Sequence, residues 1–142
     1  MRVSAKAEYA CIAMLELAAH HAKQTPVRVQ KITDAHGIPK RFLVQILIQL
    51  KGAGLVESVR GASGGYLLAR SPAEISVADI VHTIDHPEPR REPVASARST
   101  AVQAVRAVWR DAQAEEQRLL ESVDLGELLR RAQETHELTY QI

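Results

Sequence analysis

A glycine-punctuated hairpin, LVESVRGASGGYLLAR at residues 55–70, directly follows a helix–turn–helix-like run, VQKITDAHGIPKRFLVQILIQLKGAG. Leu55, Val56 and Val59 form one strand-like segment, and Tyr66, Leu67 and Leu68 form the other. Between them Gly61, Gly64 and Gly65 can supply the positive φ values that a tight hairpin turn needs. Two short helices followed by such a ribbon read as a winged helix.

Residues 29–35 predict a short helix whose Arg28 is a poor N-cap, since no Ser, Thr, Asp or Asn side chain stands there. Gly37 ends it with a left-handed backbone, Ile38 plugs the core, and Pro39 suits the first position of a helix over 39–51. In that second helix Leu43, Ile46, Leu47 and Leu50 make a buried stripe. Lys40, Arg41, Gln45 and Gln49 are left on its outer side.

An alanine-rich helix over residues 4–22 precedes this unit and is broken by Gln24, Thr25 and Pro26. After the hairpin, Ser76 and Asp79 have capping-box spacing and Ile75 and Ile80 the spacing of a hydrophobic staple, so a helix starts there. A proline-rich linker at 86–93 leads to a long helix over 95–123. Its stripe of Val102, Val105, Trp109, Ala112, Glu116, Leu119 and Val123 is heptad-like. Asp124 with Glu127, and Val123 with Leu128, repeat the box and staple spacings and open a last helix to about Glu134. The expected architecture is mainly α with a small antiparallel β-hairpin wing. A winged helix–turn–helix DNA-binding domain occupies 1–86; a linker, a dimerisation helix and a C-terminal helix occupy 87–142. Folding of the long helix back onto the first helix is the alternative to dimerisation along its stripe.

The net charge of +1 conceals a split. Residues 1–70 carry ten basic and four acidic side chains, a net of +6, whereas 71–142 carry a net of −5. The first half is therefore the part expected to face a polyanion. The chain has no apolar run near the roughly 20 residues that span a bilayer, and its N-terminus lacks a clean signal-peptide core. A cytoplasmic protein without membrane attachment is expected. The single cysteine, Cys11, excludes a disulfide framework and an all-cysteine metal site. Its apolar helical neighbours favour a buried residue over a redox switch. His82 and His86 have the spacing of a metal-binding pair, but helix-end histidines more commonly cap or face solvent. No metal, cofactor or enzymatic site is assigned.

Basic and polar residues at the start of the second helix can enter a major groove. Arg41 can fork onto guanine O6 and N7, Gln45 can pair with adenine, and Lys40 suits a phosphate. Arg60 can reach a narrow minor groove, and the backbone of residues 61–65 can approach phosphates. The candidate DNA-contact set is Lys6, Tyr9, Pro39, Lys40, Arg41, Phe42, Gln45, Arg60, Gly61, Ser63, Gly64, Gly65 and Tyr66. Within it, Tyr9 reads equally as core or contact, and Tyr66 reads rather as a wing anchor. The dimerisation set is Val102, Val105, Trp109, Ala112, Leu119 and Val123. The residues by themselves support a homodimer on a pseudo-palindromic double-stranded DNA site, with an unidentified small-molecule or protein effector. A winged-helix protein–protein adaptor and a metal- or redox-responsive sensor are the alternatives.

The opening MRVSAKAEYACIAMLELA, with IPKRFL, GLV, RGxxGGYxLAR and IxxxDI further on, resembles the Rrf2 family of bacterial winged-helix transcription regulators. The resemblance is close over residues 1–86. It implies homodimers that repress or activate promoters at palindromic sites, with a dimer helix after the wing, so the expected function is a transcription regulator acting as a repressor on its operator. It also implies what this chain lacks. Iron–sulfur members carry three cysteines in the loop before the dimer helix, where HPEPRREPVASARS has none. An acidic ligand on the first helix, matched by position at Glu8, therefore has no cysteine partners. Cluster-type members place a Glu where Val44 stands; Val44 cannot accept from cytosine but can touch a thymine methyl, so the operator should differ.

Overall fold

The computed structural model describes residues 3–86 and 98–141. Its elements in order are α1 (Ala5–Ala19), α2 (Val29–His36), α3 (Lys40–Gly52), β1 (Val56–Val59), β2 (Gly65–Leu68), a 3₁₀ turn (Pro72–Glu74), α4 (Val77–Ile84), α5 (Thr100–Ser122) and α6 (Leu125–Gln141). β1 and β2 pair antiparallel, with Val56 opposite Leu68 and Val59 opposite Gly65. This is the mainly helical, hairpin-bearing architecture that the sequence predicts.

One core joins most of these elements. Ala7, Ala10, Ala13, Met14 and Leu17 of α1 meet Ile32 of α2, the Leu43, Ile46, Leu47 and Leu50 stripe of α3, and Ile75 and Ile80 around the start of α4. Four buried alanines of α1, Ala7, Ala10, Ala13 and Ala18, let its backbone approach its neighbours closely. The staple pair Ile75 and Ile80 is fully buried, and the capping box forms in both directions. The Asp79 amide donates to Ser76 Oγ at 3.0 Å, and the Ser76 amide donates to Asp79 Oδ2 at 2.9 Å.

Contacts distant in sequence close the unit. Ser4 caps α1 and also donates to Asp85 at the end of α4, from its amide at 2.9 Å and its hydroxyl at 2.5 Å. Glu16 of α1 meets His36 Nε2 of α2 at 3.1 Å. Leu125 is fully buried in the same core, and its amide donates to the Ile75 carbonyl at 2.9 Å. The Val77 amide donates in turn to the Val123 carbonyl at 2.8 Å. It is α6, not the long helix, that returns onto α1, while α5 packs on α4.

Several boundaries differ from expectation. α1 ends at Ala19, and Gln24 follows in a turn with φ of 51°. Pro39 is the N-cap of α3 rather than its first helical residue, because its ψ of 127° is extended. α5 starts at Thr100, capped by Ser99, whose hydroxyl accepts from the Val102 amide. The expected start at Ala95 and the linker from Pro87 onwards lie outside the described residues. α6 continues to Gln141, past Glu134, and its N-terminal part carries a ladder of Glu127, Arg130, Arg131 and Glu134. The second box is only half made: the Glu127 amide donates to Asp124 Oδ1 at 2.8 Å, but the Glu127 carboxylate faces Arg130 and Arg131.

Ser76→Ala is expected to lower the unfolding free energy by about 1 kcal/mol through the lost cap. Ile80→Ala, which hollows the core, should cost about 2–5 kcal/mol. Urea midpoints at unchanged slope check both.

Candidate nucleic-acid interface

α3 shows how the buried stripe sets the outer face. Leu43, Ile46, Leu47 and Leu50 are each 0% exposed, so the helix cannot roll without unburying them. At 100° per residue, Arg41, Val44, Gln45 and Ile48 then point away from the core, and all four are exposed. Lys40 is exposed on the flank nearer Val44. Phe42 lies on the opposite flank, where the Arg41 guanidinium sits 5.0 Å from its ring centroid. This contact holds Arg41 at the start of the helix. Gln49 departs from expectation. It is half-buried, with Oε1 buried and unbonded among the described residues, because it turns toward α4 and lines a cavity of about 530 Å³ with His82, Thr83 and His86.

The wing is tied to this helix and to the segment before α2. Lys51 Nζ donates to Ser58 Oγ at 2.6 Å, linking the end of α3 to β1. Tyr66 and Val27 exchange two backbone hydrogen bonds, of 2.8 and 2.9 Å. Gly65 makes that seam possible. Its φ is +149°, and a Cβ there would lie 2.5 Å from the Val27 carbonyl oxygen. Gly61 has φ of +105° and open space around it. Gly64 differs from the expected role: it has no positive φ, and glycine is required because a Cβ would lie 2.2 Å from the Val59 carbonyl oxygen. Its amide also donates to the Gly61 carbonyl, which leaves it unavailable to phosphate. Arg60, Gly61, Ala62 and Ser63 form the exposed tip.

The remaining candidates are spread over α1, the start of α3 and the wing base. Pro39 is exposed at the start of α3. Tyr66 is half-buried against the core at the wing base, and Tyr9 is half-buried against the core on α1. Lys6 lies half-buried on the first turn of α1. Ile48, 60% exposed, and Val59, 40% exposed, were not singled out by sequence reasoning. The legible signal for Ile48 was its place four residues after Val44, on the face opposite the stripe.

α5 has no buried residue along its 23 residues. Val105, Trp109 and Leu119 are 51%, 47% and 63% exposed, Ala112 is exposed, and Val102 is half-buried. Val108 and, on α6, Leu138 add exposed apolar surface that the heptad reading missed. Val123 departs from the stripe: it is 7% exposed because the chain turns there into α6, so its side chain faces its own protomer's core.

Cys11 is half-buried on α1, and its thiol is pushed up to about 11, first by burial and then by the Glu8 and Asp85 carboxylates. A thiol so disfavoured as thiolate is a poor metal ligand. Among the described residues no three His, Cys, Asp or Glu side chains converge as a metal site, and no helix is long and apolar enough to cross a membrane.

The sequence model of the Rrf2 family, described as an iron-dependent transcriptional regulator, matches residues 3–131. A helix–turn–helix-type transcriptional regulator of Mycobacterium tuberculosis is 42% identical over 137 residues, covering 90% of this chain and 81% of that protein. The regulator IscR of Photorhabdus laumondii is 34% identical, covering 91% and 79%. Among solved structures, T. potens IscR matches with a TM-score of 0.78 and 33% identity, covering 95% of this chain and 90% of the other. CymR, the global cysteine regulator of B. subtilis, matches with a TM-score of 0.77 and 31% identity, covering 92% and 98%. A three-cysteine ligand set of the iron–sulfur kind is absent from this chain, since Cys11 is its one cysteine.

Gly65→Ala should open the seam to Val27 and lower the unfolding free energy by about 1–3 kcal/mol, read by denaturant titration. Cys11 should alkylate about a hundredfold more slowly in the native protein at pH 8 than in urea, as its shift from 9.0 to about 11 requires. Equal rates in a thiol-reagent assay would contradict that environment.

Proposed function

The chain belongs to the Rrf2 family of DNA-binding transcriptional regulators, which are not enzymes, and from that premise we propose that it acts in the cytoplasm as a homodimeric repressor on a pseudo-palindromic operator. The observation that carries this reading is the outward row of Arg41 and Gln45 on α3, rotated into place by four fully buried side chains and accompanied by Arg60 at the wing tip.

Each protomer lays α3 in a major groove. Arg41 forks onto a guanine, Gln45 pairs with an adenine, and Lys40 neutralises a phosphate. Arg60 enters the flanking minor groove, where the negative potential is concentrated. Gly61, Ala62 and Ser63 bring the wing tip close to the backbone. Pro39 and Phe42 shape the entry of α3, while Lys6, Tyr9 and Tyr66 border the face. The +6 charge of residues 1–70 supports this orientation.

The second protomer docks along α5 through Val102, Val105, Trp109, Ala112 and Leu119. An apolar stripe on a helix with no buried residue of its own supports that pairing. A two-fold dimer sets its half-sites whole helical turns apart. Occupancy of a promoter then excludes the polymerase, which is the repressor reading.

Arg41→Ala should cost about 1–3 kcal/mol on operator DNA and much less on random duplex, measured by salt-controlled gel shift. Equal loss on both would make Arg41 a phosphate contact. No salt-sensitive shift by the unaltered protein would favour a protein adaptor instead. Trp109→Glu should convert the dimer to monomer in sedimentation velocity; an unchanged dimer would place the interface elsewhere.

A further inference from the structure

α3 carries two exposed β-branched apolar residues on its outward face. Val44 is 37% exposed and Ile48 60% exposed, one helical turn apart and on the same side as Arg41 and Gln45. They do not extend the buried stripe, which is complete in Leu43, Ile46, Leu47 and Leu50. Building on the DNA reading above, we infer that Val44 and Ile48 form an apolar ridge that reads the C5-methyl groups of two thymines in each half-site.

Three observations select this occupant. Arg41, Gln45 and the ridge share one face, and Lys40 and Lys51 lie along its flank, so an occupant of the ridge also meets concentrated positive charge. A polyanion with apolar points satisfies both; duplex DNA offers thymine methyls as the apolar points of its major groove. The ridge is only two side chains wide, whereas a stable protein interface takes about 800 Å² per partner. Its length also fits: four residues rise about 6 Å along the helix, and two base-pair steps rise about 7 Å at 3.4 Å each. A β-branched residue in a helix is restricted at χ1, so both contacts are set before DNA arrives. Arg41 and Gln45 supply hydrogen-bond readout, and the ridge adds readout by methyl contact at further positions.

Selection of bound duplexes from a randomised pool, followed by replacement of each selected thymidine by deoxyuridine, tests this. The replacement removes only the methyl group. Two thymines about two steps apart are expected in each half-site, and each deoxyuridine should weaken binding by about fourfold, the factor for one buried methyl-sized group. Val44→Ser and Ile48→Ser, with unchanged circular dichroism, should each bind thymidine and deoxyuridine duplexes equally at one of the two positions. Salt-sensitive DNA binding that is indifferent to deoxyuridine, or variants that keep full discrimination, would overturn the ridge while leaving the DNA reading intact. Absence of any salt-sensitive binding to the pool would overturn both.

Discussion

The rotation of α3 about its own axis is the constraint on which the rest of the molecule depends. Leu43, Ile46, Leu47 and Leu50 are each fully buried, and a roll of one residue would expose two of them to water. Losing the burial of even one such side chain costs about 1.5–3 kcal/mol, a large share of the 5–15 kcal/mol by which a domain of this kind is stable. The outward direction of Arg41 and Gln45 therefore follows from the leucines and isoleucines behind them. Around that helix, α1 brings small side chains close, and α2 is held to α1 by Glu16 and His36.

The wing inherits its position from the same helix. Lys51 to Ser58 fixes its near strand, and the Val27–Tyr66 backbone pair fixes its far strand to the segment entering α2. Both ties are short, and Lys51, Ser58 and Tyr66 lie within regular elements while Val27 lies just before α2. Arg60 thus sits at the end of a ribbon anchored on both edges, at a set offset from Arg41. Farther away, the α5–α6 corner is stitched to the start of α4 through Val77, Val123, Ile75 and Leu125. The exposed stripe of α5 is in this way joined to the same core as α3, and in the dimer proposed above that corner sets the spacing between two copies of α3.

Much of this was legible in the sequence because the signals are local. The α3 stripe has helical period, Gly37 marks a left-handed stop, with φ of 70°, and Ser76 with Asp79 spells out a capping box. The misreadings were non-local or one residue wide. Gly64 looked like a turn glycine; what it needs is room beside the Val59 carbonyl across the hairpin. Ser4 and Asp85 are 81 positions apart, and no spacing rule joins them. The return of α6 to α1 likewise depends on Leu125, whose burial is a property of the folded corner. Val123 fell in heptad register yet sits where the helix ends, so periodicity assigned it to the wrong surface. Ile48 escaped because only the polar residues of the outer face stood out as contacts, although its place four residues after Val44 sets it opposite the stripe.

In the proposed complex α3 and the wing of each protomer engage neighbouring grooves at once, and dimethyl sulfate footprinting of a selected duplex tests that most directly. The reagent reports guanine N7 in the major groove and adenine N3 in the minor groove. Two clusters of protected guanine N7, separated by whole turns of about 10–10.5 base pairs and each flanked by protected adenine N3, are predicted. A salt-sensitive complex that leaves both atoms reactive, or that protects one groove alone, would contradict it.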